Sequence, residues 1–411
     1  MFGGRVVLCG APPVGQTGRP ARRSGRLDER PEERRPGCAP TTLSASSCIS
    51  PLGPVSLLFL GIGLVLLVGG AEALVRGASH LATAAGISPL VVGLTVVAFG
   101  TSAPELAVSI GSASGGQGAL ALGNVVGSNI FNVLLILGVS ALIAPLRVSS
   151  QLVRLDVPLG IGVSIGVLGL AVDGRIGPGE GGLLMLGMAG YTAFLIWQSR
   201  RSSAPAAAGP TVASGGMRGV DMALNVGLVV GGLALLVLGA GWVVDGAVDI
   251  ARHLGVSDLV IGLTLIAGGT SLPELATSVL AGLRGERDIA VGNVVGSNLF
   301  NLMAVLGASA LAAPDGLPVA DAVLWFDLPV MIAVAGACLP VFFTGGTISR
   351  AEGGLFLGYY GAYTAYLILA AAQHDALSTV SLVLGAFVLP ITALTLLLVS
   401  VRAWRRPPPS S

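Results

Sequence analysis

The chain has 411 residues, 53% hydrophobic and only 10% charged, with 62 glycines and a formal net charge of +1. That balance excludes an ordinary soluble domain and points to an all-α integral membrane protein. A charge so near zero gives no global electrostatic argument for nucleic acid as a partner.

All 22 basic residues are Arg. Cys9, Cys38 and Cys48 lie near the N-terminus and Cys338 in an apolar run, a pattern with neither disulfide-framework nor metal-site spacing. His80, His253 and His374 stand singly, which argues against a histidine metal centre.

Residues 1–53 are rich in Arg, Pro, Gly and Ser without periodicity, which reads as a disordered tail. A mis-called start upstream of the true one is the other reading. Apolar segments long enough to cross a roughly 30 Å hydrocarbon core follow at 54–75, 88–112, 119–144, 152–172 and 180–198. Residues 199–220 are Ala/Pro/Gly/Ser-rich with Arg at both ends and read as a cytoplasmic linker. The second half, 221–372, offers spans at 222–250, 258–283, 288–313, 322–344 and 353–372. Residues 373–411 add an eleventh span at 378–401 and a basic C-terminus.

A 46-residue block occurs twice, from Gly93 to Gly138 and from Gly262 to Gly307, at a constant offset of 169 positions. Five spans separate equivalent points, and an odd number inverts the second copy across the bilayer, so the halves 54–198 and 221–372 are inverted repeats. With the N-terminus outside, twelve Arg residues beyond the tail fall on the cytoplasmic side and only Arg175 and Arg252 outside, as the positive-inside rule requires. The eight Arg residues of the tail would then lie on the wrong side.

Each copy carries a glutamate inside an uncharged apolar stretch, Glu105 in GTSAPE and Glu274 in GTSLPE. A carboxylate at membrane depth is expensive and marks a functional site by default. Pro104 and Pro273 each remove a backbone donor and clash one turn back, while Gly100 and Gly269 tolerate unusual dihedrals, so both helices should kink or unwind there. The freed carbonyls, with the hydroxyls of Thr101, Ser102, Thr270 and Ser271, become oxygen donors beside the carboxylates. In the following GNVVGSN segments, Ser128 and Asn132, and equally Ser297 and Asn301, are four apart and share a helix face. The set is all oxygen, with no thiolate or imidazole, and suits Ca²⁺ and Na⁺. Two carboxylates neutralise one divalent ion. Left without metal they repel, so protons or monovalent cations would refill the site.

Blander roles are available for some of these groups. The asparagines could act as interhelical packing glue. Glu72 with Arg76, and Asp249 with Arg252, read as ion pairs at a wet rim, Asp245 as either rim or ion path, and the RGERD turn at 284–288 as a solvated loop.

The paired GTSxPE and GNxxGSNxFN motifs resemble the two alpha-repeats of the sodium/calcium exchanger branch of the cation/Ca²⁺ antiporter superfamily, over residues 54–372. The resemblance implies ten core helices, with a central site formed by the second, third, seventh and eighth and alternating access through the first and sixth. It implies Glu105, Asn132, Glu274 and Asn301 as the central ion ligands, flanked by Thr101, Ser102, Ser128, Thr270, Ser271 and Ser297. Members of this branch often carry Asp where this chain has Asn301, and their core usually ends at the tenth helix.

The expected function is therefore secondary antiport of Ca²⁺ against Na⁺, with H⁺ or K⁺-dependent exchange as alternatives and a cation channel further behind. No protease constellation or nucleophile elbow suggests an enzyme. No cofactor or obligatory protein partner is implied beyond the transported ions and the lipid bilayer. The short linker, lacking a large cytosolic insertion, suggests a prokaryotic plasma membrane.

Overall fold

The computed structural model describes residues 54–202 and 219–372, apart from 257, 262, 263, 266, 344 and 345. The expected tail, residues 203–218 of the linker and the eleventh span lie outside the described residues. The first half comprises α1 (Pro54–Ala85), the bent pair α2 (Pro89–Thr101 and Ala103–Ser114), α3 (Gly118–Ile143), β1 (Leu146–Arg147), α4 (Leu152–Ala171), β2 (Arg175–Ile176) and α5 (Pro178–Ser202). The second contains α6 (Gly219–His253), α7 (Leu272–Leu283, preceded by short helices Asp258–Ile261 and Ala267–Gly269), α8 (Arg287–Ala312), β3 (Leu317–Pro318), α9 (Val323–Phe342), β4 (Thr347–Ile348) and α10 (Arg350–Ala371). Eight of these helices are long and apolar enough to span a bilayer, and α2 taken as one bent span makes nine. The α7 segment holds the place of α2 in the second half.

The four short strands report the inversion. β1 follows the third span of its half and corresponds to β3, while β2 corresponds to β4. Yet β1 pairs antiparallel with β4, and β2 with β3. Loops at non-equivalent positions of the two halves can meet on one side only if one half is upside down relative to the other. The pairing also satisfies backbone groups where the chain turns.

Helices α1 and α6 lie against one another along a glycine seam. Gly63, Gly70 and Gly77 recur every seven residues, as do Gly232, Gly239 and Gly246, each 169 positions on. A Cβ on Gly70 would stand 2.7 Å from the Gly232 carbonyl oxygen, and one on Gly239 would stand 2.8 Å from that of Gly63. In lipid, where apolar burial gives no net drive between helices, such backbone contact is what holds a pair together. Neighbouring Gly69 and Gly231 face open space.

α1 runs to Ala85, ten residues past the expected end at 75. The charge at Arg76 does not end the helix, because Glu72 one turn earlier pairs with it and with Arg284 from the α7–α8 turn. Ser79 on the next turn of α1 donates to Glu286 at 2.9 Å. The turns α2–α3 and α7–α8 close through Gly116 and Gly285, both at positive φ (77° and 81°) that a side chain would strain. Among the described spans α3 and α8 are the most deeply enclosed and α10 the least, so the polar residues of α3 and α8 sit at the centre of the protein.

Candidate ion-binding site

The helix breaks expected at GTSAPE and GTSLPE fall on Ser102 (φ −83°, ψ 8°) and Ser271 (φ −92°, ψ 10°). In each case Pro at the second position of the following helix needs no backbone donor there, and α2 bends by 46° across the break. Glu105 and Glu274 therefore sit in the first turn of a new helix, where the positive end of the helix dipole favours a carboxylate. Both glutamates are fully buried, at 0% exposure.

The two breaks face each other with their hydrogen bonds crossed. Ser102 Oγ of the first repeat donates to Glu274 Oε1 of the second at 2.8 Å. Ser271 Oγ of the second donates to Glu105 Oε1 of the first, also at 2.8 Å. The second carboxylate oxygens, Glu105 Oε2 and Glu274 Oε2, have no partner among the described groups. Thr270 stands beside Glu105 and Ser297 beside Glu274, but neither hydroxyl reaches an ordinary hydrogen-bond geometry. Thr101 also stands beside Glu274, and its Oγ1 lies 3.1 Å from Asn293 Oδ1 and 3.1 Å from the Val97 carbonyl.

From α3 and α8 come Ser128, Asn132, Ser297 and Asn301, all at 2% exposure or less. Asn132 and Asn301 each open a π-helical turn, Asn132–Leu137 and Asn301–Val305. Such turns are frequent at functional sites. The Asn132 Oδ1, both amide atoms of Asn301, and the hydroxyls of Ser128 and Ser297 lack protein partners. A buried polar atom without a partner costs about 1–3 kcal/mol. Together with the free oxygens of the two carboxylates, the oxygens of these side chains are the kind of donors that a dehydrated cation would satisfy. Among the described residues no three His, Cys, Asp or Glu side chains converge, so any ion held here relies on two carboxylates and neutral oxygens.

Several asparagines in the duplicated segments carry roles the sequence reading did not assign. Asn293, fully buried, donates to Ser278 Oγ at 3.0 Å and to the Glu274 carbonyl at 3.3 Å, bracing the first turn of α7. Its counterpart Asn124 donates to Ser109 at 2.9 Å. Asn129 and Asn298 reach each other's backbone carbonyls at 3.3 and 3.4 Å. Their duplication at the same offset of 169 was the available signal. Asp245 is exposed on α6, while Asp249 accepts from Ser56 and lies 3.7 Å from His253.

A further duplicated pair lies outside the 46-residue block. Asp156 on α4 accepts from Tyr191 on α5 at 2.9 Å, and Asp327 on α9 accepts from Tyr363 on α10 at 2.9 Å. These bonds clamp the outer helices of each half.

Two inverted halves, each contributing a broken helix and a buried carboxylate hydrogen-bonded to the break of the other half, make the fold that of an alternating-access cation carrier. The chain matches the family described as sodium/calcium exchanger protein over residues 55–197 and 224–369, and it belongs to that family. It is 40% identical over 321 residues to the putative antiporter CaxA of Alkalimonas amylolytica, covering 74% of this chain and 97% of that protein. Identity to the sodium/calcium exchanger MaX1 of Methanosarcina acetivorans is 35% over 348 residues, 76% of this chain and 98% of the relative. The fold is similar to that of the sodium-calcium exchanger NCX_Mj soaked with 10 mM Na⁺ and 10 mM Sr²⁺, with a TM-score of 0.64 at 29% identity, covering 77% of this chain and 98% of that one. The family is one of antiporters, and the prokaryotic relatives and multiple spans accord with a plasma-membrane location.

Proposed function

We propose that the chain exchanges Ca²⁺ for Na⁺ across the plasma membrane, with Glu105, Glu274, Asn132 and Asn301 as the central ligands and Ser102, Ser271, Thr101, Thr270, Ser128 and Ser297 around them. The observation that carries this reading is the crossed bonding of the two glutamates, which leaves each with one uncommitted oxygen in a fully buried setting. One Ca²⁺ neutralises both carboxylates, and Na⁺ ions can do the same one charge at a time using the neutral oxygens.

Without a cation the two charges repel. Unit charges 4 Å apart at an effective dielectric of about 20 interact by roughly 4 kcal/mol. The unloaded protein therefore resists the crossing that a loaded one makes freely, and that penalty couples the two ion flows. Asn301, in a position where an acid is common in the family, limits the site to two formal negative charges and favours one divalent ion at a time.

The test is ⁴⁵Ca²⁺ uptake into liposomes driven by an outward Na⁺ gradient, with an outward H⁺ gradient as a parallel arm and Glu274→Gln as the blank. Uptake in the Na⁺ arm is expected. Uptake with H⁺ alone reassigns the counter-ion, and uptake that ignores the trans-side gradient points to a channel.

A further inference from the structure

The duplicated segments break their own symmetry at one point. Asn298 Nδ2 is anchored on the Asn129 carbonyl at 3.4 Å, and its Oδ1 accepts from Asn132 Nδ2 at 3.0 Å. Applying the repeat offset, Asn129 Oδ1 should accept from Asn301 Nδ2. It does not: both atoms are buried and without a partner, and Asn129 Nδ2 lies 3.7 Å from Met331 Sδ as well as on the Asn298 carbonyl.

The sequence supplies the reason. α4 and α9 align on Asp156-Val157-Pro158 and Asp327-Leu328-Pro329, which sets Gly160 opposite Met331. Beside Asn298 that position has no side chain. Beside Asn129 it carries a thioether, a weak acceptor, next to a cavity of about 40 Å³ that Asn129, Asp156, Gly160, Asn298 and Met331 help to line.

The difference bears directly on cation binding. An amide ligates a cation only through its oxygen, and a freely rotating Asn presents nitrogen as readily as oxygen. A hydrogen bond that occupies Nδ2 removes that ambiguity and leaves Oδ1 free, as second-layer partners do for metal ligands elsewhere.

We propose that Asn298 and Asn129 are positioning residues for the ion site. Asn298 fixes the Asn132 amide so that its oxygen is offered to the cation. Asn129 does the same for Asn301 once it leaves Met331, so the site is half set in the conformation seen here. This rests on the assignment of Asn132 and Asn301 as ligands.

Two double-mutant cycles on the full-length protein in liposomes separate the claims, with the half-saturating Ca²⁺ concentration and the maximal rate read independently. Asn132→Ala must raise half-saturation; if it does not, the ligand assignment is what fails. Given that rise, Asn298→Ala is expected to raise half-saturation on the order of 10-fold in the native background and to add nothing in Asn132→Ala. A merely structural role would give the same loss in both backgrounds, and additivity of that kind, or no effect of Asn298→Ala, overturns the proposal. Asn129→Ala paired with Asn301→Ala tests the second arm in the same way, and additivity there overturns the role of Asn129. Should Asn298→Ala fail to assemble, Asn298→Ser, which also cannot reach Asn132, carries the same cycle.

Discussion

Ser102 lies in the first repeat, yet its hydroxyl donates at 2.8 Å to Glu274 of the second, and the reciprocal bond joins Ser271 to Glu105. Each carboxylate is thus held by the helix break of the opposite half. The crossing also means that relative movement of the two breaks alters both carboxylates together.

Neutralising either glutamate should abolish exchange while leaving the fold. Glu105→Gln and Glu274→Gln keep the acceptor for the cross-repeat serine but remove one of only two formal charges. Ca²⁺ uptake is expected to fall to the protein-free background in both, with monodisperse size-exclusion profiles. Residual uptake above about 10% in either variant would show that the charge pair is not the core of the site.

Removing one crossing serine is a milder change. A hydrogen bond to a charged acceptor contributes about 1.5–3 kcal/mol, so Ser102→Ala and Ser271→Ala are each expected to raise half-saturation for Ca²⁺ by roughly 10-fold or more. The repeat relation further predicts similar effects for the two. Titrating ⁴⁵Ca²⁺ uptake in both variants checks this, and a large disparity between them would mean that the halves share the load unequally.

Much of this site was legible in the sequence. The 169-residue offset, the Pro after each break and the glutamate one turn on are local features, and local chemistry dictates them. The crossed pairing was not legible, because which serine meets which glutamate depends on how two inverted halves dock. Nor was the Asn129–Asn298 asymmetry, which comes from Met331 and Gly160 on helices outside the duplicated block. The seven-residue glycine spacing in α1 and α6 was present to be read, but in a chain with 62 glycines it is submerged in composition.

That spacing predicts a position-specific pattern. Gly232→Val places a side chain 2.6 Å from the Leu74 amide nitrogen and 2.7 Å from the Gly70 carbonyl oxygen. The pair must separate, at about 1–3 kcal/mol for overpacking, and the unfolding temperature in detergent should fall along with transport. Gly231→Ala next to it meets nothing within 4 Å and should behave as native. Equal tolerance of both substitutions would contradict backbone contact along the seam.

The Asp156–Tyr191 clamp makes a contrasting prediction, with stability affected and ion binding spared. Asp156 is fully buried and is held by the Tyr191 hydroxyl at 2.9 Å and, more loosely, by Gln151 at 3.4 Å. Tyr191→Phe deletes the stronger donor and leaves a buried acceptor underserved, a loss of about 1–3 kcal/mol. The equivalent Tyr363→Phe removes the same bond to Asp327, which is only half-buried, so water can substitute and the loss should be smaller. Thermal unfolding in detergent is expected to rank Tyr191→Phe below Tyr363→Phe and both below native, with half-saturation for Ca²⁺ unchanged. A shift in half-saturation without a drop in unfolding temperature would instead connect α4 and α5 to the ion site, giving the aspartate a part in transport rather than in clamping the scaffold.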